Sequence, residues 1–551
     1  MDSSDGSGDF KFQMEERDHP LLNFVVLRVL FDHACFKEFK NFRRVCKSWW
    51  EVSLRRWRQN STIIFRLLNI EHNSAQQFMM FWEQSRLLPD QSNLDLYPFK
   101  KYSLRYCSID LENKWQSQFW NVFGNTMSHL EMRYCRFKSV TEFRRILFGV
   151  VSKLEVFHYN LNFKTPGLVQ RIPWDGELMP GGINQNLREF RYTFNCYMEL
   201  VVSLEEFFCH MPKIKSLVLN LTSRPPYFYP RLELLEILNA IQSAQAHGIH
   251  IQLQNLNLFE MGIFRSQRIQ GHYNSLKQLN FPLTSLSIFS IEDFRDDSII
   301  LQTIIQLYSH TLRKLFLADF SLGINRAYPR SPFAVKFDAL QDLGIVGYMV
   351  GTNLEFLEFT PKLKRLMIVD GIFEISIMLR EDTSFLPFEH EMQSLKKWHW
   401  PTVQETEDVI FNTNFATLKP SPSLEEFVYL GKSHICTPLQ VDNLTKLMPN
   451  LKTVLLGMTT SGFEIACEQW SNLQVLIIAP WAVEVEKSGF KKIMAELKYL
   501  RYFAMGRGRG KDWEPEWELN NESIENGLLK SQHLEKMRII CCDKVIRIID
   551  I

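Results

Sequence analysis

The residues best equipped for chemistry in this 551-residue chain are ten cysteines, a glycine–arginine string, an acidic quartet and a histidine between two tryptophans. No two cysteines have the C-x-x-C spacing of a zinc or dithiol site, and their scatter is that of reduced intracellular thiols. Gly506-Arg507-Gly508-Arg509-Gly510-Lys511 offers flexible basic side chains to a phosphate or an acidic tail. It lacks the strand–loop–helix spacing of a P-loop and reads first as a solvated loop. Glu292-Asp293 with Asp296-Asp297 has neither the alternating ligands nor the glycine of a calcium loop. His399, between Trp398 and Trp400, has no nucleophile or acid at catalytic spacing. G-x-x-x-x-G-K-[ST], H-E-x-x-H and G-x-S-x-G do not occur. The expectation is a chain without catalytic residues, metal or cofactor, whose chemistry is recognition.

Recognition surfaces need elements to present them, and the chain advertises a repeat. The pattern L-x-x-L-x-L, with any large apolar residue allowed, starts at Phe99, Met127, Leu154, Leu187, Ile214, Leu253, Leu283 and Leu312. It continues from Leu340, Leu363, Leu395, Leu424, Leu451, Leu473, Leu500 and Leu534. The mean spacing of about 29 residues lies at the upper end of the leucine-rich-repeat range. Within each unit the fourth and sixth residues alternate with others, as in a strand. The remainder often holds an amphipathic stretch, such as 144–153 or 232–244, that can return as a helix. No single unit can bury its apolar face, so the units must stack. The ninth position, where the strand bends and its backbone needs a polar partner, reads Cys107, Cys135, Asn162, Asn195 and Thr222 in the first five units. Later units depart, with Phe320, Tyr348 and Lys432 there, and Cys542 returns to type. The expected fold is therefore α/β: a leucine-rich-repeat solenoid with a parallel inner sheet, a horseshoe, over residues 59–551. Stretches rich in Pro and Gly at 165–186, 225–230, 323–332 and 506–517 read as loops leaving its rims.

Composition agrees with a folded chain. Hydrophobic residues at 45% and charged residues at 23% exclude a disordered protein, and aromatics at 13% supply a large core. With 63 Lys+Arg against 62 Asp+Glu there is no chain-wide electrostatic footprint for nucleic acid. The best apolar run, 21–31, is about half a membrane span and carries Arg28, so no membrane contact is expected. The first 18 residues, rich in Ser, Gly and charge, read as disordered and have no signal-peptide core. The cytoplasm, the nucleus or both are the expected compartments.

Residues 19–58 stand apart, with apolar periodicity of their own and no repeat unit. Leu27, Leu30 and Phe31 are followed by Arg43-Arg44-Val45-Cys46-Lys47-Ser48-Trp49. This segment resembles an F-box, the helical motif that docks substrate receptors onto the Skp adaptor of cullin-RING ubiquitin ligases. The family opens with Leu-Pro-Glu, where this chain has Asn23-Phe24-Val25, with Pro20-Leu21-Leu22 just upstream as a further apolar anchor. The resemblance implies an adaptor-binding set of Pro20, Leu21, Leu22, Leu27, Leu30, Phe31, Val45, Cys46 and Trp49. Together with the repeats it implies an F-box/leucine-rich-repeat substrate receptor that presents a protein to the ligase. Two other readings stay open: residues 19–58 as a helical cap over the first strand, and the whole as a repeat scaffold with a degenerate F-box.

Strand alternation also predicts which side chains leave the core. In early units they are polar: Lys101, Ser103 and Arg105, then His129, Glu131 and Arg133, then Glu189, Arg191 and Thr193. In later units they are apolar, including Phe316, Met367, Val369, Val428, Leu430, Leu455, Ile477 and Tyr502, with His399 among them. An exposed apolar stripe marks a partner site, so these are the expected substrate-binding residues.

Overall fold

The computed structural model describes residues 62–66, 80, 99–137, 140–160, 183–194, 204–221, 234–259, 280–290, 298–319, 335–347, 354–370, 410, 413–431, 435–478, 497–507, 536–541 and 544–550. Residues 1–58, which hold the whole F-box-like segment and its nine expected adaptor contacts, lie outside them, as do His399 and the acidic quartet at 292–297. The chain forms two compact units, Met1–Phe190 and Arg191–Ile551.

In the first unit, β1 (Thr62–Arg66), β2 (Lys101–Arg105), β4 (His129–Arg133) and β6 (Val156–Asn160) run parallel, each paired with the next. Between them lie a short parallel pair, β3 (Ser108–Ile109) and β5 (Arg136–Phe137), and two helices, α1 (Lys114–Phe123) and α2 (Val140–Arg144). Asn113 starts α1 by accepting hydrogen bonds from the backbone N–H groups of Trp115 and Gln116. The helix lays Phe119, Trp120 and Phe123 on the sheet, where Phe119 meets Phe65 edge-on at 5.4 Å and Tyr102 at 6.0 Å. It ends at Gly124, where a Cβ would come within 2.5 Å of the Val150 side chain. The helix expected over 144–153 begins earlier, at Val140, and passes into a π-helical turn at Arg145–Val150. β7 (Glu189–Phe194) follows, and the units divide at its second residue.

The second unit begins with α3 (Leu204–His210), β8 (Ser216–Leu221), α4 (Leu234–Ala246), β9 (Asn255–Phe259), β10 (Ser285–Ser290) and α5 (Ser298–Tyr308). Next come β11 (Lys314–Asp319), β12 (Asp342–Gly347), β13 (Arg365–Asp370) and β14 (Glu426–Gly431). α6 (Pro438–Leu447), β15 (Thr453–Leu456), α7 (Thr460–Gln469), β16 (Val475–Ile478), β17 (Tyr502–Arg507), β18 (Lys536–Cys541) and β19 (Lys544–Asp550) complete it. From β8 to β18 every strand pairs in parallel with its successor, and only β19 turns back antiparallel on β18. The result is an α/β arrangement of parallel strands with helices in the connections.

The register explains why the repeat exists. Fourth-position residues align as Leu286, Leu315, Leu343, Leu366, Phe427, Val454, Leu476 and Phe503 on successive strands. All eight are nearly or wholly buried. A second regularity lies in the backbone: in unit after unit the carbonyl of the second residue accepts two N–H bonds from the next unit. Lys100 accepts from Ser128 and His129, Thr284 from Arg313 and Lys314, and Lys364 from Glu425 and Glu426. This stitches the strand entrances together before the sheet ladder begins.

One expected unit is corrected. β13 pairs directly with β14, Leu366 against Phe427, so the match at Leu395 places no strand between them. Six residues of alternating character are too few to distinguish a strand from a chance match, and Pro401 closes that match with a residue that cannot donate to a ladder. Conversely β1 lies ahead of the first expected unit, with Phe65 in register with the sixth-position Leu104.

Candidate functional site

The expected substrate stripe is a row in space but not a surface. Phe316, Gly344, Met367, Val428, Leu455 and Ile477 are lateral neighbours on six consecutive strands. Yet Phe316, Met367, Val369, Val428 and Leu455 are all at 0% exposure and Tyr502 is at 7%. Ile477 is partly exposed. Leu430 takes its place in β14 opposite Val369, and His399 lies outside the described residues. The physical reason stands in the sequence: Leu315-Phe-Leu-Ala318, Leu366-Met-Ile-Val369 and Val454-Leu-Leu456 are continuous apolar runs. Such runs belong to parallel strands buried on both faces, whereas strands open on one side alternate. The face that these residues share is covered.

The first unit keeps the alternation, and there the same face is open. Tyr102 and Leu104 of β2, Leu130 and Met132 of β4, and Phe157 and Tyr159 of β6 point into the core. Between them lie Lys101, Ser103 and Arg105, His129, Glu131 and Arg133, and His158 and Asn160, of which only Ser103 is buried. Glu131 is the hub. It accepts from the Ser103 hydroxyl at 2.7 Å and from Arg133 Nε and Nη2, both at 2.5 Å, and lies 3.7 Å from Arg105 Nη2. Arg105 Nε in turn donates to Ser103 Oγ at 3.1 Å. Burial raises the Glu131 pKa, but Ser103, Arg133 and Arg105 outweigh it and hold the carboxyl below its ordinary value. Alongside, His129 is 2.8 Å from the Ser128 hydroxyl, and burial first, then Lys101, lower its pKa. His158 meets Glu189 at 2.8 Å.

Immediately past the arginines the two strands end in the same way. Tyr106 and Tyr134 adopt left-handed backbone angles, φ 59° and 55°, and their rings stack at 4.9 Å and 15°. Their N–H groups donate to the carbonyls of Arg133 and Asn160 in the following units, both at 2.9 Å. For an aromatic residue this backbone is strained by about 1–3 kcal/mol. The next residues are the ninth-position cysteines. Cys135 Sγ donates to the Leu104 carbonyl at 3.3 Å and Cys107 Sγ lies 3.9 Å from the Phe65 carbonyl, both wholly buried. Burial pushes the Cys135 thiol well above its ordinary pKa, so it remains a neutral donor. The expectation for these two positions holds; Asn162 and Thr222 lie outside the described residues, and of Asn195 the same is true.

Sequence reasoning named Arg105, Glu131 and Arg133 as outward residues but passed over Tyr106 and Tyr134. The signal was present as a triplet, Arg-Tyr-Cys at 105–107 and again at 133–135. Among the described residues no group of three His, Cys, Asp or Glu side chains could hold a metal ion, and no helix is long and apolar enough to cross a membrane. No protein-family model matches the chain, and no curated protein matches it.

Proposed function

We propose that the chain is the substrate-recognition subunit of a Skp-cullin-F-box ubiquitin ligase, with an F-box at 19–58 ahead of a leucine-rich-repeat horseshoe. One observation carries this reading: the adaptor-type string Arg43-Arg44-Val45-Cys46-Lys47-Ser48-Trp49 stands ahead of units that stack strand by strand in equivalent register. In this reading the chain performs no covalent step. It works by proximity, raising the effective concentration of substrate lysines beside a ubiquitin-charged enzyme. The Skp adaptor and, through it, a cullin-RING ligase are its constant partners, a protein is its substrate, and the cytoplasm or nucleus is its place of work.

The full chain is expected to co-purify with the Skp adaptor, and a chain lacking residues 19–58 is not. Leu30→Asp in the full chain should abolish capture while leaving the circular-dichroism melt unchanged, since a charge placed in an apolar interface costs several kcal/mol. The opening Asn23-Phe24-Val25 favours a second reading, a repeat scaffold without a ligase. Failure of the full chain to capture the adaptor selects that reading.

A further inference from the structure

We propose that the open face of β2 and β4 is a docking surface for a short acidic segment of a protein partner, held by two Arg–Tyr rungs. The proposal names a substrate chemistry and rests on the receptor reading for its biological setting, although the binding itself needs no adaptor. Arg105 and Arg133 are direct register partners on adjacent parallel strands, about 4.8 Å apart. Side-by-side like charges are unfavourable in a sheet, and here one carboxylate, Glu131, is spread between them. Each guanidinium carries five N–H donors, more than this network uses. A second carboxylate arriving between the two arginines completes the charge balance and makes charge-assisted bonds to both.

The tyrosines argue independently for a ligand. Glycine would adopt their left-handed backbone freely, yet both units place a large aromatic there. The strain holds the stacked pair at the strand ends, with Tyr106 38% exposed. On the other side Ile64 of β1, register partner of Ser103, is 53% exposed. The face thus offers a cationic centre between an aromatic wall and an apolar spot, the arrangement of a peptide site with an acidic side chain at its middle. A nucleic-acid backbone fits less well. Phosphates following the row Ser103, Glu131 and His158 would pass over the Glu131 carboxylate, and the whole chain is electrically almost neutral.

The test is fluorescence anisotropy of the full-length chain with a short fluorescein-labelled peptide alternating Asp and Ser. The peptide should bind, weaken with added salt, and lose binding when Asn replaces Asp. Arg105→Gln with Arg133→Gln should lower affinity about tenfold or more, the factor for losing one charge-assisted pair. Tyr106→Gly with Tyr134→Gly should also lower affinity while the melting temperature holds or rises, which a merely structural role for the rings would not allow. Equal binding of the Asn peptide, undiminished binding by either double variant, or tighter binding of a polyuridine oligonucleotide would overturn the proposal. Peptide binding by a chain that fails to capture the adaptor would leave this surface standing and remove only the ligase setting.

Discussion

At the scale of single residues, one row of charges shows how the same side-chain type can help in one place and harm in another. Across the strand entrances Lys314, Asp342, Arg365 and Glu426 are successive register partners. Arg365 donates through Nε and Nη2 to both Asp342 oxygens, at 2.5 and 2.6 Å, a bidentate pair. Glu426 is left with burial as its largest influence. That raises its pKa, Arg365 pulls it down, and the carboxylates of Asp342 and Glu425 push it up again. A carboxyl whose folded pKa exceeds its unfolded value contributes stability below the unfolded value and loses it as pH rises through the folded one. Glu426→Gln should therefore be more stable than the parent at pH 7, with the gap closing toward pH 4. Urea denaturation at both values checks this, and a less stable variant at pH 7 would refute it. Glu131 has the opposite sign, because its partners outweigh its burial, and removing it would harm the first unit at neutral pH.

At the scale of elements, β12 shows what a missing side chain does. Gly344 faces Phe316, and a Cβ added there would lie 2.4 Å from the ring's Cδ2. The ring fills the space that the glycine leaves, and stacks on Phe289 at 5.0 Å on its other side. Gly344→Ala should cost about 1–3 kcal/mol through overpacking. Combining it with Phe316→Leu should cost less than the two changes added together, measured by a double-mutant cycle in urea. The strand elements were legible in the sequence because, wherever burial is described, the fourth and sixth residues of the units lie in the core whatever covers the other face. The state of that other face was less legible. It depends on whether the fifth and seventh residues are polar, as Ser103 and Arg105 are, or apolar, as Met367 and Val369 are, and in sequence the latter pattern reads equally as an exposed stripe or as a strand buried on both faces. The tyrosine pair was missed because a left-handed backbone is associated with glycine, and no propensity rule points to an aromatic there.

At the scale of the molecule, the two units use one repeat for two ends. In the first, alternating strands keep a polar face accessible; in the second, strands from β11 to β15 are buried on both sides. Met367→Glu with Val428→Glu, which an exposed stripe would tolerate, should instead place two adjacent charges in a fully buried row and destabilise the second unit by at least about 4 kcal/mol. A thermal melt superimposing on that of the parent would show the row to be open after all. The strand-by-strand stacking has a further consequence, for heredity. Arg105-Tyr106-Cys107 and Arg133-Tyr134-Cys135 occupy the same rung of successive units, and each rung carries its own anchoring cysteine. A tandem duplication of such a unit copies the side chains that grip together with the scaffold that aims them. New grip then comes as added valency along one face, multiplying weak contacts without any change to the chemistry of a single rung.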